Sequence, residues 1–216
     1  MGDSTELTDL PVHAFLERLG SSDPVPGGGS AAALAAAMGA ALVAMVAELT
    51  IGRPAYADHD ETIRKLRFDA LERRTELLEL AQQDSDAYDI VVSARHLPKD
   101  SEAERAARSS ALEAAMLDAA RIPLRAAVVA SEVLDLAERI APIGNRNAVS
   151  DAGVAAHLAA AGLRGALLNV RINLPYLAEN EPMKESAPVE IARLEALAAK
   201  GERAALAAVD ARLVGT

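Results

Sequence analysis

Residues 27–47 carry no charged side chain, and alanine is their commonest residue. The run is led in by Pro24-Val25-Pro26-Gly27-Gly28-Gly29-Ser30 and closed by Glu48. A helix built from it has no polar face, so it must be covered all round, by the bundle or by a second subunit. Ala31, Ala35 and Gly39, four apart, offer one side on which another backbone can approach closely. The three glycines open backbone conformations closed to other residues, φ > 0 among them, and leave their N–H groups uncovered. Ser30 is placed to accept from the first helical amides as an N-cap. Such a start is either a plain helix entry with a hinge or, through its unpaired donors and dipole, a seat for an anion. The phosphate-loop and dinucleotide readings fail, because neither a Gly-Lys-Ser/Thr ending nor glycines spaced through a βαβ unit are present.

The rest of the composition narrows the choices. Hydrophobic residues make up 51% of the 216 but aromatics only 2%, so alanine, leucine and valine must fill the core and helices must approach closely. A net charge of −10 argues against nucleic acid as a partner, since phosphate neutralisation needs a basic surface. With no cysteine, disulfides, thiolate nucleophiles and thiolate zinc sites are excluded. His13, His59, His96 and His157 stand too far apart for metal-ligand spacing. Residues 1–10 are acidic and polar rather than a signal peptide. The uncharged run is long enough to nominate a membrane span, but its alanine and glycine content drives insertion weakly and no basic cluster flanks it. The expectation is a soluble cytoplasmic protein with no membrane partner.

Helical periodicity is nearly continuous, and no segment alternates like a strand. Helices are predicted over 11–19, stopping at Gly20, over 30–51, closed by Gly52 and Pro54, and over 57–95. Ser101 with Glu104 forms a capping box for a fourth, which Pro123 should kink or restart before it reaches Ile140. Ser150 or Asp151 is expected to cap a fifth, ending near Asn173, and a last helix spans 189–213. The reading is an all-α fold: residues 1–216 as a single-domain bundle of long helices around a buried alanine-rich helix, and a homodimer.

Three groups of residues can carry chemistry. At about 3.6 residues per turn, Leu77, Leu80, Ala81, Ala87, Tyr88, Val91 and Val92 share one arc, and Asp84 sits near its middle, whereas Asp86 points away. A carboxylate on a core face has a raised pKa and suits general acid–base work, or it is satisfied by a neighbouring helix; both roles are open. Gly144-Asn145-Arg146-Asn147-Ala148-Val149-Ser150-Asp151 supplies donors and acceptors for a flat heterocycle, or simply turn and cap chemistry. Asn169 and Asn173, one turn apart beyond Gly162 and Gly165, either bond between helices or line a pocket.

Taken together these segments resemble the cyclodeaminase/cyclohydrolase family of folate one-carbon enzymes. The matching stretches are Pro26-Gly27-Gly28-Gly29-Ser30, Leu49-Thr50-Ile51-Gly52, Asp84-x-x-Ala87-Tyr88 and Leu97-Pro98-Lys99. To these are added Gly144-Asn145-x-Asn147-Ala148-x-Ser150-Asp151-x-Gly153-Val154-Ala155 and Arg164-Gly165-Ala166-Leu167-Leu168-Asn169-Val170-x-Ile172-Asn173-Leu174. The chain departs from the family at Arg53-Pro54-Ala55, at Gln82 and at Arg146.

The resemblance implies an all-α dimer acting on a tetrahydrofolate derivative as substrate, with no permanently bound cofactor and no metal. It implies Asp84 as the catalytic acid–base. Gly27, Gly28, Gly29, Ser30, Lys99, Asn145, Asn147, Ser150, Asp151, Asn169 and Asn173 then bind substrate, Lys99 by neutralising a glutamate tail or holding Asp84. Two reactions at one carbon fit. A cyclohydrolase interconverts 5,10-methenyltetrahydrofolate and 10-formyltetrahydrofolate; a cyclodeaminase closes 5-formiminotetrahydrofolate to the methenyl compound with loss of ammonia. No formiminotransferase sequence accompanies the chain, which tilts the expectation to the cyclohydrolase. A non-catalytic folate-binding helical dimer is the other class of reading, against which stands the cost of keeping Asp84 on an apolar face.

Overall fold

A computed structural model describes residues 6–213; the ends of the 1–216 domain reading, and half of the 1–10 segment, lie outside the described residues. Six helices run α1 (Val12–Leu19), α2 (Gly28–Glu48), α3 (Asp60–Arg95), α4 (Glu102–Ile140), α5 (Val149–Asn173) and α6 (Met183–Leu213), with short 3-10 turns and no strand among the described residues. The alanine helix α2 is the hub. It packs against α3, α4 and α5, while α6 closes the far side against α4 and α5.

Small residues set the spacing of the hub. A Cβ at Gly162 of α5 would stand 2.6 Å from the Ala32 carbonyl oxygen, and one at Gly39 would stand 2.9 Å from that of Ala155. Real side chains do not fit there, so α2 and α5 touch backbone to backbone. The face that does this is Ala32, Ala36 and Gly39, not the predicted Ala31, Ala35 and Gly39; Ala31 and Ala35 are only half-buried. On its outer side α2 is uncovered. Met38, Met45 and Leu49 are exposed and Leu34 half-buried, beside exposed Val12 and Leu16 of α1. By length and composition α2 and the α5 region are apolar enough to cross a bilayer, and here both contribute to the common core.

Several helix ends differ from expectation, each for a local reason. The predicted Ser101–Glu104 capping box is present, with Ser101 N–H donating to Glu104 Oε2 at 2.8 Å. α2 starts at Gly28, with Gly27 at the N-cap, and ends at Glu48 rather than Ile51. α5 is preceded by a 3-10 turn over Arg146–Ala148 that Asn145 caps, so neither Ser150 nor Asp151 is its cap. α6 begins at Met183, six residues before the predicted start, with Pro188 inside it. Pro123 neither stops nor restarts α4. A proline leaves the carbonyl four residues back without its helical donor. Here that carbonyl is Ala119, and the Asn173 side chain of α5 donates to it at 2.7 Å. The gap in one helix is closed by its neighbour.

Candidate active site

The N-terminal end of α2 points at α3, and this fixes the site. Asp84 is largely buried, on the face of α3 shared by buried Leu77, Leu80, Ala81, Ala87 and Val91. Tyr88 of the same predicted arc is exposed and Asp86 faces solvent, accepting from Gln82 at 2.8 Å. Gln82, a departure from the family pattern, also accepts the Leu7 N–H at 2.7 Å and so ties down the chain before α1.

Ser30 is not the N-cap it was expected to be. It lies in the first turn of α2, fully buried, and its hydroxyl sits 3.0 Å from Asp84 Oδ2, 2.9 Å from the Ala81 carbonyl oxygen and 3.1 Å from Ser85 Oγ. Its backbone N–H also donates to Asp84. The glycines serve by lacking side chains rather than by left-handed backbone, since Gly52 is the one described glycine with positive φ. A Cβ on Gly29 would overlap the Asp84 carboxylate, 2.6 Å from its Cγ. Burial pushes the Asp84 carboxyl above its ordinary value, and the two donors of Ser30 pull it part of the way back. The positive end of the α2 dipole acts in the same sense as Ser30. The outcome is a carboxyl group that can exchange a proton closer to neutrality than a free aspartate does.

Asp84 forms part of the lining of a cleft of about 330 Å³. Gly27, Gly28 and Gly29 line one side, Tyr88, Val91 and Arg95 of α3 another, and Asn169, Ile172, Asn173 and Tyr176 the α5 side. The first amides of α2, lacking intrahelical acceptors, lie at this cleft. Asn169 donates to Gly165 O at 2.9 Å within its own helix and faces Gly28, and Asn173 does both things proposed for it, bonding to α4 and lining the cleft. A larger cavity of about 570 Å³ between α3, α4 and α6 is lined by Asp69, Glu72, Arg73, Glu132 and other charged groups, and contains none of the candidate residues. Among the described residues no three His, Asp or Glu side chains come together as a metal site.

The asparagine loop lies elsewhere. Asn145 is buried at the other end of α2, where its N–H donates to Thr50 Oγ1 at 2.7 Å, its Nδ2 to Leu49 O at 2.9 Å, and its Oδ1 accepts from Asn147 N–H. Thr50 in turn donates to Val46 O at 2.6 Å. Asn147 and Ser150 are exposed and Asp151 half-buried at the start of α5, whereas the cleft is at its end, roughly 30 Å away at 1.5 Å per residue. Within one chain Asn145, Asn147, Ser150 and Asp151 therefore do not line the Asp84 cleft. Nor does Lys99, which sits exposed in the α3–α4 loop and makes no contact with Asp84. Arg95, Tyr176 and Met116 are among the cleft residues that the sequence did not single out as site residues. Arg95 was findable, because it falls eleven residues after Asp84, back on the same side of α3.

The chain as a whole is similar to known proteins. The profile of the formiminotransferase-cyclodeaminase family matches residues 11–192. A methenyltetrahydrofolate cyclohydrolase of Methylorubrum extorquens is 44% identical over 75% of this chain and 78% of its own length. The formimidoyltransferase-cyclodeaminase of Rattus norvegicus is 35% identical over 83% of this chain, which spans 33% of that longer protein. Among solved structures, formiminotetrahydrofolate cyclodeaminase from Thermotoga maritima superimposes with a TM-score of 0.85 at 27% identity, over 96% of this chain and 100% of the other.

Proposed function

The chain belongs to the formiminotransferase-cyclodeaminase family, and from that premise we propose that it is a methenyltetrahydrofolate cyclohydrolase, converting 5,10-methenyltetrahydrofolate and water to 10-formyltetrahydrofolate. The observation that carries the reading is the Asp84 carboxylate, held by Ser30 against the first turn of α2 at a cleft. The relative named for this reaction shares 44% identity, against 35% for a relative whose name includes the cyclodeaminase, which favours hydration over ammonia loss.

The chemistry follows from one carboxylate. The bridging carbon of the substrate is bonded to N5 and N10 and carries positive charge, which an ionised Asp84 stabilises electrostatically. Asp84 takes a proton from water as its oxygen adds to that carbon, giving a tetrahedral hydroxyl adduct. It then returns the proton to N5 as the carbon–N5 bond breaks; the hydroxyl proton leaves and the formyl group remains on N10. One proton is released overall, and no resident cofactor or metal is needed for any step. The cyclodeaminase alternative uses the same group on an amino adduct: a proton leaves N10 as it attacks the formimino carbon, and one is delivered to the departing nitrogen.

The proposal takes residues 1–216 as one catalytic domain working as a cytoplasmic homodimer. Exposed Met38, Met45 and Leu49, with half-buried Leu34, support the dimer, since they form an apolar stripe along one side of the hub helix and its C-terminal end. Met38→Glu with Met45→Glu should turn the dimer into a monomer in sedimentation. The function itself is tested by the loss of methenyltetrahydrofolate absorbance against the buffer-catalysed rate. Acceleration by the wild type but not by Asp84→Asn is expected. No acceleration by the wild type sinks the cyclohydrolase reading, and appearance of the same absorbance from 5-formiminotetrahydrofolate would replace it with the cyclodeaminase. Folate binding without either reaction would leave a non-catalytic binding dimer.

A further inference from the structure

α3 carries the cleft's chemistry along one line. Asp84, Tyr88, Val91 and Arg95 are spaced four, three and four residues apart, so at about 100° per residue all four stay on one side of the helix. All four line the cleft. Asp84 is at the buried end and Arg95 at the exposed end, in the last turn of α3. Among the described residues the Arg95 guanidinium has no carboxylate partner; only its backbone oxygen is used, accepting from Arg108 at 3.3 Å. An arginine lining a cleft in a chain of net charge −10, with acidic residues available to pair elsewhere, is free for an anion from outside.

We propose that Arg95 is the residue that recognises the glutamate carboxylate of the folate substrate, setting the enzyme's preference for substrates that carry this tail. The inference rests on the cyclohydrolase reading, and the dimensions support it. Eleven residues of helix separate the Asp84 and Arg95 backbones by about 16 Å. Long helical side chains lean toward the N-terminus, and an arginine is long enough to close part of that gap, to the order of 10 Å. With ring and amide bonds of about 1.3–1.5 Å, the aminobenzoyl group and its amide carry the glutamate α-carboxyl about 10 Å from N10. The space between is flanked by Tyr88 on α3 and Tyr176 just beyond α5, two of the chain's three tyrosines, both exposed. Aromatic faces on opposite walls suit a flat benzoyl ring. The arrangement gives Arg95 the role that the resemblance had suggested for Lys99.

The test crosses the residue with the group it recognises. Initial rates are measured for wild type, Arg95→Gln and Arg95→Lys on 5,10-methenyltetrahydrofolate and on the same methenyl compound without its glutamate, methenyltetrahydropteroate. A charge-assisted, bidentate contact predicts that wild type loses about 10- to 100-fold in kcat/KM when the tail is removed. Arg95→Gln should lose a similar factor on the tailed substrate, chiefly in KM, and almost nothing further on the tail-less one; Arg95→Lys should fall between. Arg95 is exposed, so circular dichroism and Tm should be unchanged. Equal losses for Arg95→Gln on both substrates, or none on the tailed one, overturn the assignment and leave the cyclohydrolase reading standing. A wild type inactive on both compounds overturns that reading, and this inference with it.

Discussion

At its N-terminal end α2 meets Asp84 across Gly29 and Ser30; at its C-terminal end it meets Asn145 across Leu49 and Thr50. Both meetings tie the central helix to another element through short buried hydrogen bonds. They differ in what is left over. Around Asn145 the N–H, the amide nitrogen and the amide oxygen are all engaged by protein groups. Around Asp84 the donors come from one side only, so a carboxylate remains with capacity toward a cleft and a pKa displaced upward. A latch uses up its polar groups internally, whereas a reactive site keeps some unspent.

The sharpest way to break this contrast is Asp84→Asn, for which kcat should fall by about 10²- to 10⁴-fold while the fold is kept. Stability should move the other way. A carboxyl whose folded pKa is raised costs stability once pH rises through that pKa, and costs nothing below the pKa of the unfolded chain. Asp84→Asn should therefore raise Tm at pH 7, with the gain shrinking as pH falls through the carboxylate range; calorimetry across pH would show a constant difference if the carboxyl were not displaced.

Next in size, Asn145→Ala removes buried bonds at the other end. It should cost about 2–3 kcal/mol in urea unfolding while leaving the kcat/KM of folded enzyme unchanged. A stable variant with poor catalysis would reverse the two roles. Ser30→Ala should lower kcat about 10-fold. Since it removes a donor to the ionised form, it should also shift the acidic limb of the kcat/KM profile to higher pH; an unmoved limb would detach Ser30 from the reacting carboxylate. The smallest effect belongs to Asn147→Ala and Ser150→Ala, expected to leave rates as they are. A loss as large as that of Ser30→Ala would make the loop part of a site assembled between protomers.

Periodicity made the helices and the inward turn of Asp84 legible, because both depend on neighbours along the chain. The capping box at Ser101 was legible for the same reason. What failed depended on partners remote in sequence. Ser30 has the residue type and position of a cap, but a carboxylate from α3 claims its hydroxyl and amide. The asparagine loop had donors enough for a ligand, and nothing local could announce that Leu49 and Thr50 would consume them. Pro123 had every mark of a helix break until α5 supplied the missing donor. Arg95 was within reach of the spacing argument that found Asp84, three turns further along α3.

The mended carbonyl at Ala119 also links two positions that no contact between Pro123 and the substrate requires. With alanine at 123, the backbone N–H would complete the ladder and compete with Asn173 for the Ala119 carbonyl. Its amide would then be at liberty to turn into the cleft it lines. The identity of a residue in the middle of α4 thus bears on whether a side chain on α5 is a rivet or a free donor, and a silent-looking proline becomes a setting for how polar the Asp84 cleft is.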